Sequence, residues 1–177
     1  ALLTLIGANT LHAQPLDKPI RLVVPYAPGG PIDVTARALA ERVKDSLGVV
    51  IIDNKPGAAG RVALGELRRA APDGNTVILA PSGALVILPW LYKNIGYDPV
   101  KDFAPIALVA NAPQILVAHP SFPANSVREL IALAKREPDT VQYASSGAGT
   151  MSHLSGVLLN SAAGIKLQQI PYPGSAQ

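Results

Sequence analysis

The apolar positions along this 177-residue chain fall into short runs whose period changes repeatedly. Ile20-Arg-Leu-Val-Val24 is a β-branched run closed by Pro25, after which Ala36, Leu39, Val43 and Leu47 recur at helical spacing from Asp33 onward. Gly48 supplies a helix stop, residues 49–52 form a second strand-like run, and residues 62–70 return to helical spacing. Pro72-Asp-Gly74 turns the chain into a third strand over residues 76–80. Pro81-Ser-Gly83, an apolar stretch through Trp90 and a Pro-bearing loop over residues 97–102 follow. This alternation predicts an α/β fold, with a parallel sheet covered by helices, because parallel strands need crossover connections.

The same pattern restarts further on. Residues 106–110 and 114–118 are apolar segments separated by Asn111-Ala-Pro113, where the chain is expected to cross from one lobe to another. Ser126-Val-Arg-Glu129 has capping-box spacing, the serine accepting an amide hydrogen bond and the glutamate reaching back. A helix then carries Val127, Leu130, Ile131 and Ala134 on one stripe as far as Glu137, and Pro138 ends it. Residues 141–144 read as a strand, Thr150 to Ala163 as a helix closed by Gly164, and residues 167–172 as a last strand. The expected organisation is a signal-peptide remnant over residues 1–13, a first lobe over 14–110, and an incomplete second lobe over 111–177. The first of these reads as the back half of a secretory hydrophobic segment ending at Ala13, and alternatively as an apolar N-terminal arm.

Composition narrows the classes. With 49% hydrophobic and 15% charged residues the chain is globular rather than disordered. Its uncharged N-terminal stretch is interrupted by Gly7, Asn9 and Pro15 and is too short to span a bilayer. Zero cysteines exclude disulfides and thiol catalysis. The net charge of +3 comes from scattered basic residues, densest at Arg68 and Arg69, without an aromatic ladder, so nucleic acid is not the expected partner.

Two stretches carry candidate chemistry. Tyr26-Ala-Pro-Gly-Gly-Pro-Ile-Asp33 joins the first strand to the first helix, and its glycines allow backbone amides at the helix start to meet an anion. Taken alone, it reads equally as a tight turn with Asp33 as an ordinary cap. Ser145-Ser-Gly-Ala-Gly-Thr150 repeats the arrangement in the second half, adding hydroxyls. Two such loops, one per lobe, suit an elongated anion held at both ends.

Rival chemistries find no support. No glycine precedes a Lys-Ser/Thr pair as a Walker A loop requires, and Gly57, Gly60 and Gly65 miss the dinucleotide spacing, leaving residues 57–60 as a flexible connection. No Gly-x-Ser-x-Gly elbow is present, and His153 beside Ser152 and Ser155 reads as a packed or capping residue. The three histidines share no ligand spacing, so no metal and no cofactor is expected. Trp90, Leu91 and Tyr92 read as packing residues.

Six motifs in order complete the reading: Lys18-Pro-Ile-Arg-Leu-Val-Val-Pro-Tyr-Ala-Pro-Gly-Gly-Pro-Ile-Asp33, Asp53-Asn-Lys-Pro-Gly-Ala-Ala-Gly60, Ala71-Pro-Asp-Gly74, Tyr97-Asp-Pro-Val-Lys-Asp-Phe-Ala-Pro105, Tyr143-Ala-Ser-Ser-Gly-Ala-Gly-Thr150 and Pro171-Tyr-Pro-Gly-Ser175. From Lys18 to Gln177 the chain resembles the Bug receptors, the TctC-type periplasmic solute-binding proteins of tripartite tricarboxylate transporters. The resemblance implies a two-lobed, cleft-closing architecture of the type II periplasmic-binding-protein kind, here truncated in the second lobe. It implies a monomeric, non-enzymatic periplasmic receptor that captures a small carboxylate solute and delivers it to the membrane components of the transporter. The alternative from another class is an α/β enzyme, a hydrolase or transferase, binding an anion at the same helix starts. By position, Tyr26, Ala27, Pro28, Gly29, Gly30, Ile32 and Asp33 correspond to the first carboxylate clamp. Ser145, Ser146, Gly147, Gly149 and Thr150 correspond to the second, and Ser82 to a third loop at the cleft. The resemblance further implies ligation by backbone amides, hydroxyls and bridging waters rather than by an arginine. Pro173 departs from it, standing where a lysine is usual.

Overall fold

A computed structural model describes residues 18–175 of the chain; the signal-peptide reading of residues 1–13 lies outside these. β1 (Ile20–Val24) is the central strand of a parallel sheet of order β2-β1-β3, with β2 at Val50–Asn54 and β3 at Thr76–Ile78. Ile20 lies opposite Val50 and Val24 opposite Asn54, while Arg21 pairs with Thr76 on the other side. The crossovers are α1 (Pro31–Leu47) and α2 (Arg61–Arg69), followed after β3 by two short helices, α3 (Ser82–Val86) and α4 (Leu88–Leu91). The expected parallel architecture is therefore present.

Alternation along β1 divides its side chains between two faces. Leu22 and Val24 pack with Ala36 of α1 and with Ile52 and Val77. Arg21 points the other way, where its guanidinium meets Asp53 of β2 and Glu66 of α2. Beyond that face lies a separate core of Leu64, Ala84, Leu88 and Tyr97. Helices on both sides leave Val23 and Val24 with no exposed surface.

A second parallel pair, β4 (Gln142–Ser145) with β5 (Gln168–Pro171), is crossed by α6 (Met151–Ala163) and preceded by α5 (Val127–Arg136). Its core gathers Leu130, Leu133 and Ala134 from α5 with Val141, Ile165 and Leu167. Ser126 caps α5 by accepting from Glu129 N at 3.2 Å. The glutamate reaches back one residue further than a capping box does, accepting from Asn125 N at 2.7 Å.

The two sheets are linked through residues 104–119, which form neither helix nor strand. The expected apolar segments fall here, and Ile106, Leu108, Ile115 and Val117 are each more than three-quarters exposed. Trp90 is 89% exposed and so is not the packing residue its apolar surroundings suggest. Pro89 and the break at Ile87 split this stretch into α3 and α4, which turns Trp90 outward.

Candidate functional site

The β1–α1 loop is held from beneath by Asp33, the third residue of α1. This side chain is 2% exposed and accepts from Gly29 N at 2.9 Å and from Arg37 Nε and Nη2 at 2.9 and 3.0 Å. Asn54, at the end of β2, donates through Nδ2 both to Asp33 Oδ1 at 2.9 Å and to Tyr26 O at 3.0 Å. The Arg37 guanidinium first, then the Gly29 amide, hold the Asp33 carboxyl well below the usual carboxylate range, outweighing burial. Asp33 therefore shapes the loop as a fixed anion. The Gly29 amide, which the sequence offers to a ligand, is already paired with it; Gly30 is the N-cap with no side-chain cap, and Pro31 follows at the first helical position.

The β4–α6 loop is held in the same manner by its own helix. Ser146 N donates to Ser152 Oγ at 3.0 Å, Gly149 N to His153 Nδ1 at 3.1 Å, and Thr150 Oγ1 to Gly147 O at 2.7 Å. Accepting at Nδ1 requires the His153 tautomer protonated on Nε2. Gln169 of β5 reaches Ser145 Oγ at 2.6 Å, and both Ser145 and Thr150 are buried. Most hydroxyls here brace the loop, while the amides of Ala27, Gly30 and Ala148 donate to no group among the described residues.

The second loop packs against α3 and α4. A Cβ on Gly149, whose φ is +81°, would lie 2.3 Å from Leu88 Cδ2 and 3.2 Å from Leu91 Cδ1. A Cβ on Gly83 of α3 would lie 3.4 Å from Gly149 O. On the other side, Gly174 sits against the Tyr26 ring. Only glycine permits the approach at 149, where the second loop rests on α4.

Between these walls is a cavity of about 310 Å³. Tyr26 of the first loop, Ser146, Gly147 and Ala148 of the second, residues 57–59 and Arg61 of the β2–α2 connection, Tyr92, and residues 171–173 line it. Of the sequence-derived candidates, Tyr26, Ser146 and Gly147 reach this lining. Ala27, Pro28, Gly29, Gly30, Ile32 and Asp33 lie in or under the first wall, Ser145, Gly149 and Thr150 under the second, and Ser82 is exposed at the start of α3. Burial pushes the Tyr26 hydroxyl's pKa up, keeping it a neutral donor. Arg61 goes unremarked in the sequence, falling between the glycine connection of residues 57–60 and the helical run from residue 62, and Tyr92 reads there as packing. The guanidinium of Arg61 lies over the Tyr92 ring, 4.1 Å from its centroid. A larger depression of about 580 Å³ around Arg68, Lys93, Asp98 and Asp102 lies away from both loops.

Residues 35–177 match the family described as "Tripartite tricarboxylate transporter family receptor". The chain belongs to this family. A UPF0065 protein of Bordetella pertussis is 40% identical over 175 residues, covering 98% of this chain and 54% of that relative. Among solved structures, Rpa4515 of R. palustris with adipate superposes with a TM-score of 0.85 at 35% identity, covering 89% of this chain and 53% of the other. The periplasmic binding protein BugD superposes at 0.78 with 39% identity, covering 91% and 54%. The fold is that of the periplasmic binding proteins, and this TctC-family chain spans about half the length of the curated relatives it matches. No helix among the described residues is long and apolar enough to cross a membrane.

Proposed function

We propose that the protein to which this chain belongs is a monomeric periplasmic receptor that captures a small carboxylate without chemical turnover and delivers it to the membrane components of a tripartite tricarboxylate transporter. The observation that carries this reading is the cavity of about 310 Å³ between two strand-loop-helix junctions, one from each sheet. Its size lies at the small end of ligand pockets, roughly 300–1,000 Å³. Its lining contains no carboxylate among the described residues, and Arg61, three tyrosines and Ser146 border it together with glycine, alanine and proline. A wall with one cation and no acid favours an anion. His153, whose Nδ1 accepts a backbone amide, orients a loop rather than activating a serine. The structural neighbour bound to adipate supports the same solute class.

Calorimetric titration of the full-length protein with mono-, di- and tricarboxylates, a neutral sugar and a cationic amino acid tests this. The expected result is saturable binding of a carboxylate that is recovered unchanged. Product formation, or binding restricted to the sugar or the cation, overturns it.

A further inference from the structure

Arg21 pairs with Asp53 and Glu66, Arg37 with Asp33 and Arg68 with Asp102, whereas Arg42, Arg61 and Arg69 form no ion pair among the described residues. Of these three, Arg61 borders the cavity. No carboxylate lies within 4 Å of it among the described residues, and it is the one charged side chain lining the cavity. Its position is nonetheless fixed from two sides. The guanidinium carbon lies 4.1 Å from the centroid of the Tyr92 ring, and Nε donates to Ala58 O at 3.3 Å. The terminal Nη1 and Nη2 groups donate to no acceptor among the described residues and so remain for a carboxylate.

The surrounding backbone supports that placement. Ala58 and Ala59 adopt positive φ values of 48° and 55°, between Gly57 at 140° and Gly60 at 94°. Four consecutive residues in this unusual region wind the connection tightly enough for α2 to begin at Arg61, facing the cavity. Two non-glycine residues held there are a structural cost tolerated in a loop whose geometry matters.

We infer that Arg61, positioned by Tyr92, is the residue that reads the far end of the solute for a second negative charge. This rests on the carboxylate-receptor reading and extends it, and at one end of the solute it departs from the expectation of ligation without an arginine. One carboxylate of the solute lies at the loop amides, and the other pairs with the Arg61 fork, so an acid with two carboxylates is preferred over a monoacid of equal length. Unlike the amides, which accept any anionic end, the guanidinium gives a monoacid's methyl terminus nothing and leaves its own charge partly desolvated.

The full-length protein is titrated with matched pairs of equal carbon number, from butanedioate and butanoate to heptanedioate and heptanoate, in wild type, Arg61→Gln, Arg61→Lys and Tyr92→Leu. Wild type is expected to favour the best diacid over its monoacid roughly ten- to a hundredfold. Arg61→Gln removes that ratio by weakening the diacid at least about tenfold more than the monoacid, which loses only the general attraction of the positive charge. Arg61→Lys keeps part of it, since charge survives but the planar fork does not. Tyr92→Leu lowers the ratio without abolishing it. A structural role for Arg61 would weaken both acids together, and an unchanged ratio in Arg61→Gln with carboxylates still bound overturns the inference while leaving the receptor reading intact. Failure of every carboxylate to bind wild type overturns both. Should Arg61→Gln fold poorly by its thermal melt, the ratio in Arg61→Lys and Tyr92→Leu decides, and a wild-type ratio in both refutes the inference.

Discussion

Replacing Asp33 with asparagine keeps the side chain's shape and removes the charge on which four hydrogen bonds converge. Gly29 N and Arg37 Nε meet Oδ2, and Arg37 Nη2 and Asn54 Nδ2 meet Oδ1. An asparagine has one acceptor oxygen, so whichever way its amide turns, two donors face an NH₂ group. Hydrogen bonds to a charged group contribute about 1.5–3 kcal/mol each, and a buried donor left unpaired costs about 1–3 kcal/mol. The Arg37 side chain is 54% exposed and recovers water, so its share is discounted, and the net cost expected for Asp33→Asn is about 2 kcal/mol. The sign with pH follows from the depressed carboxyl. In the unfolded chain Asp33 takes up a proton near pH 4, about its ordinary value, while the folded chain resists protonation to lower pH. Wild type therefore holds this contribution in full above about pH 4 and loses it as pH falls further, whereas the asparagine variant has nothing to lose. Urea unfolding of both proteins at pH 7 and at about pH 3, followed by circular dichroism, is the assay. The gap in unfolding free energy should be about 2 kcal/mol at neutral pH and narrow in acid. Equal stabilities at pH 7, or a gap of the same size at both, would refute the assignment of Asp33 as the loop's fixed anion.

Gly149→Ala places a methyl 2.3 Å from Leu88 Cδ2 at a φ of +81°, so a loss of about 2–4 kcal/mol in thermal denaturation and weaker solute binding are expected. Leu88→Ala alone should cost about 2–5 kcal/mol, because the residue has no exposed surface, yet the double variant should be more stable than the sum of the singles implies, and strict additivity would refute the contact. Ser126→Ala removes the acceptor for Glu129 N and should cost about 1 kcal/mol, measured by chemical denaturation, with the Asn125–Glu129 bond left in place.

The β1-α1-β2 unit was legible because each of its signals is local: a β-branched run, a 3.6-residue stripe, and Gly48, whose N–H caps Lys44 O at a positive φ. The Ser126 cap was legible for the same reason. The division of the 81–92 stretch was not, since a continuous apolar run gives no period, and only tertiary packing puts Leu88 in the core with Trp90 in solvent. At the site, glycine and hydroxyl clustering after strands marked both walls correctly as loops. It misassigned the free amides, because Asp33, Ser152 and His153, three or more residues ahead on the helices, fold back to occupy those of Gly29, Ser146 and Gly149. Arg61 and Tyr92 are 31 residues apart in sequence and meet only through the packing of α2 beside α4, so no motif could join them.

The central place of β1 also bears on the order in which the chain acquires structure. Its neighbours on the two sides lie about 30 and 55 positions downstream, each beyond a helical crossover, so β1 has no local partner. Residues 20–24 must stay unpaired until residue 54 is available, and the second ladder must wait until residue 78. Non-local pairing of this kind slows folding, because loop closure precedes any reward from contact. A chain made from its N-terminus thus presents Leu22, Val23 and Val24 without a ladder partner until those later strands emerge, and any factor that delays collapse in that interval acts on these three residues.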